Sequence, residues 1–125
     1  MPDEIKIDSL SKEMQEILKK YGEQVNDVLD DEITKVSKET VSRLKKTSPK
    51  QSGDYAKGWK QKITKKNLGI FATVYNSTHG WLVHLLEHGH LKRDGGRTEA
   101  EPHVKPAKDW AEKELVKRVK EKLSK

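Results

Sequence analysis

His84, Glu87 and His88 stand in the spacing H-x-x-E-H. On a helix, histidines four residues apart share one face. They can hold a zinc ion, and the glutamate between them can act as base toward a bound water. A catalytic zinc takes a third protein ligand, and only 37 residues follow the motif. Gly89 comes directly after it and keeps that helix short. Enzymes that use this pattern are much larger, and a chain with five histidines meets a five-residue pattern by chance. The favoured reading is therefore two histidines packed at a sheet or a subunit boundary, with no catalytic residue, no metal ligand and no cofactor. A zinc-dependent hydrolase through His84-x-x-Glu87-His88 is kept as the remote alternative.

The second candidate is a basic stretch. Residues 43–66 hold 9 basic groups and one acid, Asp54, a net of +8. Tyr55 and Trp59 lie among these lysines, and aromatic rings between cations can stack on bases. A solvated basic hairpin with its aromatics turned to the core is the plainer account. The stretch has no helix-turn-helix, zinc-finger or RNA-recognition signature. A small basic nucleic-acid-binding module is the alternative function. Ser52 has no His-plus-acid partner arrangement, there is no phosphate-binding glycine loop, and Gly95-Gly96 reads as flexibility.

Charge is uneven elsewhere too. Residues 1–42 hold 6 basic and 11 acidic groups, a net of −5, and residues 67–125 hold 11 and 8, a net of +3. An acidic end and a basic middle suit nucleic acid, or copies of one protein packed head to tail. With 32% apolar and 37% charged residues, the core must be thin. No apolar run is long enough for a membrane span, and Met1-Pro2-Asp3-Glu4 lacks the apolar core of a secretory signal. The absence of cysteine removes disulfides and thiolate metal sites and fits the cytosol.

The elements that position these residues follow from periodicity. Leu10, Met14, Ile17, Leu18, Tyr21, Val25, Val28, Leu29, Ile33, Val36, Val41 and Leu44 recur in steps of three and four. They predict one long helix over 9–46, about 55 Å at 1.5 Å per residue. Asp8 or Ser9 would cap it, and Gly22 marks a point of kink or break. Pro49 and Gly53 end it. A hairpin is expected over 58–75, with its turn at Lys66-Asn67-Leu68-Gly69. It must lie on the long helix or join a sheet completed by Ile5-Lys6-Ile7 or another subunit. Trp81 to His88 predicts a short central helix, 90–101 a mobile loop, and 106–124 a C-terminal helix. Trp59, Phe71, Trp81 and Trp110 read as the large inward-facing residues. The whole is one α+β domain over 1–125: a long N-terminal helix and a C-terminal helix on a small antiparallel sheet.

Three stretches carry a resemblance. They are Ser48-Pro49-Lys50-Gln51-Ser52-Gly53-Asp54-Tyr55-Ala56-Lys57-Gly58-Trp59, then His84-Leu85-Leu86-Glu87-His88-Gly89-His90, then Pro102-His103-Val104-Lys105-Pro106-Ala107. In this order, after a long helix, they resemble the head–tail joining or tail-completion (neck) proteins of tailed bacteriophages, the gene-product-ten-like family. That family's pattern is roughly S-P-x-x-T/S-G-x-Y/L, then E-x-G, then P-x-x-x-P-A. The resemblance makes His84 and His88 incidental. It implies an α+β fold without catalysis and a homo-oligomeric ring, hexamer or dodecamer, with the hexamer preferred. The ring would link the head connector to the tail terminator and tail tube, in the virion neck and, during assembly, the host cytoplasm. Its lumen would pass DNA, with non-specific contact. Lys92, Arg93 and Arg97 of the loop, and Lys57, Lys60 and Lys62 of the hairpin region, are the expected partner or oligomer contacts.

Overall fold

Ser11 opens the first helix in the computed structural model, which describes residues 4–9, 11–22, 25–49, 53–66 and 69–124. Helix α1 (Lys12–Tyr21) begins where the Ser11 hydroxyl accepts from the Met14 N–H at 3.2 Å. That contact satisfies one of the donors a helix start leaves open. The expected caps, Asp8 and Ser9, instead follow strand β1 (Ile5–Ile7), and Leu10 lies outside the described residues. Gly22 closes α1 at φ 68°, its N–H donating to the Leu18 carbonyl. A side chain is strained at that φ and glycine is not. Helix α2 (Val25–Thr47) then starts afresh. The helix expected over 9–46 is therefore two helices, divided at Gly22.

Helix α2 buries Val25, Leu29, Ile33, Val36 and Leu44 on one face. Ser37 and Thr40 share that face without cost in lost hydrogen bonds, because their hydroxyls donate to the Thr34 and Val36 carbonyls. Gly53, at φ 86°, turns the chain into a four-residue helix that the sequence did not announce, α3 (Asp54–Lys57).

Strands β2 (Trp59–Lys66) and β3 (Gly69–Asn76) pair antiparallel from Trp59↔Asn76 to Lys66↔Gly69. The expected turn residues Asn67 and Leu68 lie outside the described residues. Strand β1 takes the other edge of β3, with Ile5 opposite Val74 and Ile7 opposite Ala72, so the order is β1-β3-β2. The two-residue period puts Ile5, Ile7, Trp59, Ala72 and Val74 on the buried side. Lys6, Lys60 and Lys62 alternate with them and are exposed, while Phe71 and Tyr75 on β3 are half-buried.

Helix α4 (Gly80–His88) follows the sheet, and α5 (Val104–Leu123) returns to pack along α2. Two contacts bind these long helices. The Arg118 guanidinium bonds both oxygens of Glu39 and, through Nε, Glu114 at 2.9 Å. These hydrogen bonds hold the Glu39 carboxyl below its ordinary range and push Arg118 above its own. The Arg43 guanidinium stacks 4.2 Å from the Trp110 ring centroid. The architecture is the expected α+β: helices on one face of a small antiparallel sheet.

The large core residues divide. Trp59 is 1% exposed, as expected. Trp110 is half-buried against the core. Phe71 is half-buried on the open face of the sheet, under Lys6, which corrects the expectation that it faces inward. Trp81 is 67% exposed, which corrects the expectation that it faces inward. The reason lies in the rotation of α4, set by what its opposite face must do.

Candidate functional site

The three motif stretches meet in one buried cluster. Ser48, at the end of α2, donates its hydroxyl to the Leu44 carbonyl and accepts from the Trp59 indole N–H at 2.8 Å. Tyr55 of α3 crosses Trp59 edge-on, ring centroids 5.8 Å apart. Its hydroxyl lies 2.7 Å from Nε2 of His103, which is 3% exposed. His103 Nδ1 lies 2.7 Å from the Glu101 carbonyl. A carbonyl only accepts, so Nδ1 carries a proton, and in the neutral ring Nε2 accepts from Tyr55. Asn76 closes the cluster from β3: its amide donates to the Tyr55 carbonyl at 2.6 Å, and its oxygen accepts from the His79 N–H at 2.9 Å.

Glu87 ties the second motif to the third. Its Oε1 accepts from the backbone N–H groups of His103 and Val104 at 2.8 and 2.9 Å, and Oε2 accepts from Lys105 at 2.9 Å. Three of the donors at the start of α5 are thus satisfied by a side chain from α4. No side chain at the start of α5 itself takes this part. Burial pushes the Glu87 carboxyl up. The three N–H groups, with His103 Nδ1 3.2 Å away, outweigh it and hold the group below the ordinary carboxylate range.

Two glycines of the motifs are required by space. A Cβ on Gly89, at φ 75°, would stand 2.6 Å from the Thr98 carbonyl oxygen. A Cβ on Gly58 would strike the side chains of Asn76 and Thr78.

This arrangement changes the reading of H-x-x-E-H. Glu87 faces inward and its oxygens are engaged by α5, so it is not placed to act as base toward a metal-bound water. His84 and His88 point outward and are exposed, with ring centroids 4.8 Å apart. Among the described residues, no group of three or more His, Asp or Glu is placed to hold a metal ion. Helix rotation explains the split. Val83 and Glu87 occupy the inner face, which leaves Trp81, His84, Leu85 and His88 along the outer one.

The expected contact residues lie on three separate segments. Lys57 is exposed on α3, and Lys60 and Lys62 are exposed on β2. Lys92, Arg93 and Arg97 are exposed beyond α4. The segment expected as a mobile loop carries the hydrogen bonds of a small hairpin. The Lys92 N–H donates to the Gly96 carbonyl at 2.7 Å, Thr98 to His90 at 2.9 Å, and Leu91 bridges Arg97. Glu101 ties its exit to the Leu86 carbonyl at 2.7 Å. Arg97 also reaches the His88 and Gly89 carbonyls, where a cation suits a helix C-terminus. The sequence offered Tyr55 as a base-stacking or core ring and His103 as part of a motif stretch, but did not pair the two. Pairing across 48 positions has no local signal.

The fold and the cluster define a small α+β protein whose motif residues tie its elements together. Residues 12–89 match the family described as "Bacteriophage HK97-gp10, putative tail-component", and the chain belongs to that family. No curated protein and no solved structure matches the chain. Among the described residues, no helix is long and apolar enough to cross a membrane.

Proposed function

We propose that this chain is a single connector-like domain of the phage or prophage neck: a head–tail joining or tail-completion protein without catalytic activity. In this reading its copies form a ring, hexameric by preference, between the head connector and the tail terminator and tube. It acts in the virion, after assembly in the host cytoplasm. Lys92, Arg93, Arg97, Lys57, Lys60 and Lys62 face its partners. The observation that carries the reading is the convergence of all three motif stretches on the Ser48–Trp59–Tyr55–His103–Glu87 cluster, in a chain of a tail-component family. Polar groups that could do chemistry are used as internal ties, and the exposed cations are left for assembly. The test is a phage bearing a stop codon in this gene. Filled heads and separate tails, rescued when the protein is supplied in trans, support the proposal. Complete infectious particles lacking the protein would refute it.

One observation favours a second reading. The open face of the sheet carries Lys6, Lys60 and Lys62 beside half-buried Phe71 and Tyr75, with Lys6 Nζ 5.2 Å from the Phe71 centroid. A nucleic-acid module binding there should lose affinity for duplex DNA steeply with salt, by about 0.9 log units per log unit of salt for each phosphate contacted.

A further inference from the structure

The histidines of the chain divide by what their rings meet. His79 Nδ1 lies 3.0 Å from the Thr78 hydroxyl, and His90 Nδ1 lies 3.1 Å from that of Thr98. Both ring nitrogens of His103 are engaged, by Tyr55 and by the Glu101 carbonyl. His84 and His88 are different. Among the described residues neither ring has a hydrogen bond or an ion pair, and what each ring meets is the other. Both are exposed, one turn apart on the outer stripe of α4.

Their geometry is that of a chelate. The ring centroids are 4.8 Å apart and the planes are inclined at 51°. Two imidazoles that share one ion, each through a nitrogen at about 2.0–2.1 Å, hold their centroids about 4.5–5.2 Å apart when the bonds meet at a right or tetrahedral angle. The helix therefore already sets the spacing that a shared ion requires. His88 is the last residue of α4, so the ion would lie by a helix C-terminus, where the dipole favours positive charge. Arg97, which reaches the His88 and Gly89 carbonyls, opposes it and keeps the affinity modest.

We infer that His84 and His88 form a two-ligand site for a divalent transition-metal ion of the zinc, nickel or copper kind, with water in the remaining positions. Imidazole suits these ions, whereas magnesium and calcium take oxygen donors. The site is not catalytic, because the carboxylate of Glu87 is spent on the start of α5. With two protein ligands, the ion exchanges readily. Held across residues 84 and 88, it pins the last turn of α4 just before Gly89 releases the chain into the hairpin. The inference goes beyond the proposed function and does not depend on the ring.

The experiment is a calorimetric titration of the full chain, free of any affinity tag, with Ni²⁺ and with Zn²⁺. The wild type should bind one ion per chain. His84→Ala and His88→Ala should each weaken binding about tenfold or more, while His79→Ala and His90→Ala stay within about twofold. Mg²⁺ should give no binding heat. Saturating Ni²⁺ should raise the melting temperature of the wild type and not that of His84→Ala/His88→Ala. In the proton NMR spectrum, Zn²⁺ should shift the ring signals of two histidines and leave the other three in place. Circular dichroism confirms that each variant folds, and His84→Gln or His88→Gln replaces an alanine variant that does not. No saturable binding up to about 1 mM overturns the inference. So does binding that survives the double variant, which would show an adventitious ion only. Binding lost in one single variant and kept in the other overturns the chelate, and equal losses in His79→Ala or His90→Ala overturn the choice of pair.

Discussion

The two faces of α4 are built from the same nine residues and have opposite fates. The inner face sends Glu87 to cap α5 and Val83 into the core. The outer face lifts Trp81, His84 and His88 into solvent. A motif that spells a metal site along the chain is split by helix rotation into a structural tie and a surface stripe. The comparison shows that residue type does not set a role. The tryptophan indole of Trp59 is a buried donor, and that of Trp81 is surface. Substitutions should therefore separate stability on the inner side from assembly on the outer.

The largest effect is expected at Trp59, which fills the core and donates to Ser48. Trp59→Ala should cost about 3–5 kcal/mol in urea unfolding, a large part of the roughly 5–15 kcal/mol that holds a domain together. A loss below about 1 kcal/mol would show that the cluster is not where stability resides.

Glu87 comes next. Glu87→Ala leaves three N–H groups of α5 without their acceptor and should cost about 1–3 kcal/mol. The effect also has a pH sign. The folded carboxyl titrates below its ordinary value, so its contribution is fully present above about pH 4.5 and is lost as pH falls through the folded value. The stability gap between wild type and Glu87→Gln should therefore narrow in acid. A gap that stays constant down to the acid transition would contradict the charged cap. Gly89→Ala should cost on the order of 1–3 kcal/mol, from its positive φ and the Thr98 carbonyl in its way. An unchanged melting temperature would show that the hairpin shifts freely.

The smallest effects belong to the outer face. Replacing residues 92–97 by a short Gly-Ser link should leave the melting temperature within a few degrees, since Thr98 and Glu101 keep their ties to His90 and Leu86. In phage, the same change should leave filled heads and tails unjoined. Normal plaque yield would move the partner surface to Lys57, Lys60 and Lys62. Trp81→Ser should change stability by less than about 0.5 kcal/mol, and a larger loss would place Trp81 back in the core.

Much of this was legible in the sequence because it depends on neighbours along the chain. The three-and-four spacing of Met14, Ile17, Leu29, Ile33 and Val36 announced amphipathic helices. The break at Gly22 was marked by its residue type, though not the new start that follows it. The alternation of Ile5-Lys6-Ile7 and the β-branched run of β3 announced strands, and the order of the motif stretches pointed to the family. Periodicity says which residues share a face of an element, but not which face another element will cover. That decision was tertiary. Glu87 turns inward because α5 begins beside it with unmet N–H groups, and Trp81 turns outward as the geometric consequence. Tyr55 and His103 found one another across the fold, where hydrogen bonds between distant side chains leave no mark in local composition. The sequence by itself determined the amphipathic helical faces, the strands and the family. The cap that Glu87 gives the start of α5 decided which motif residues hold the molecule together and which face solvent.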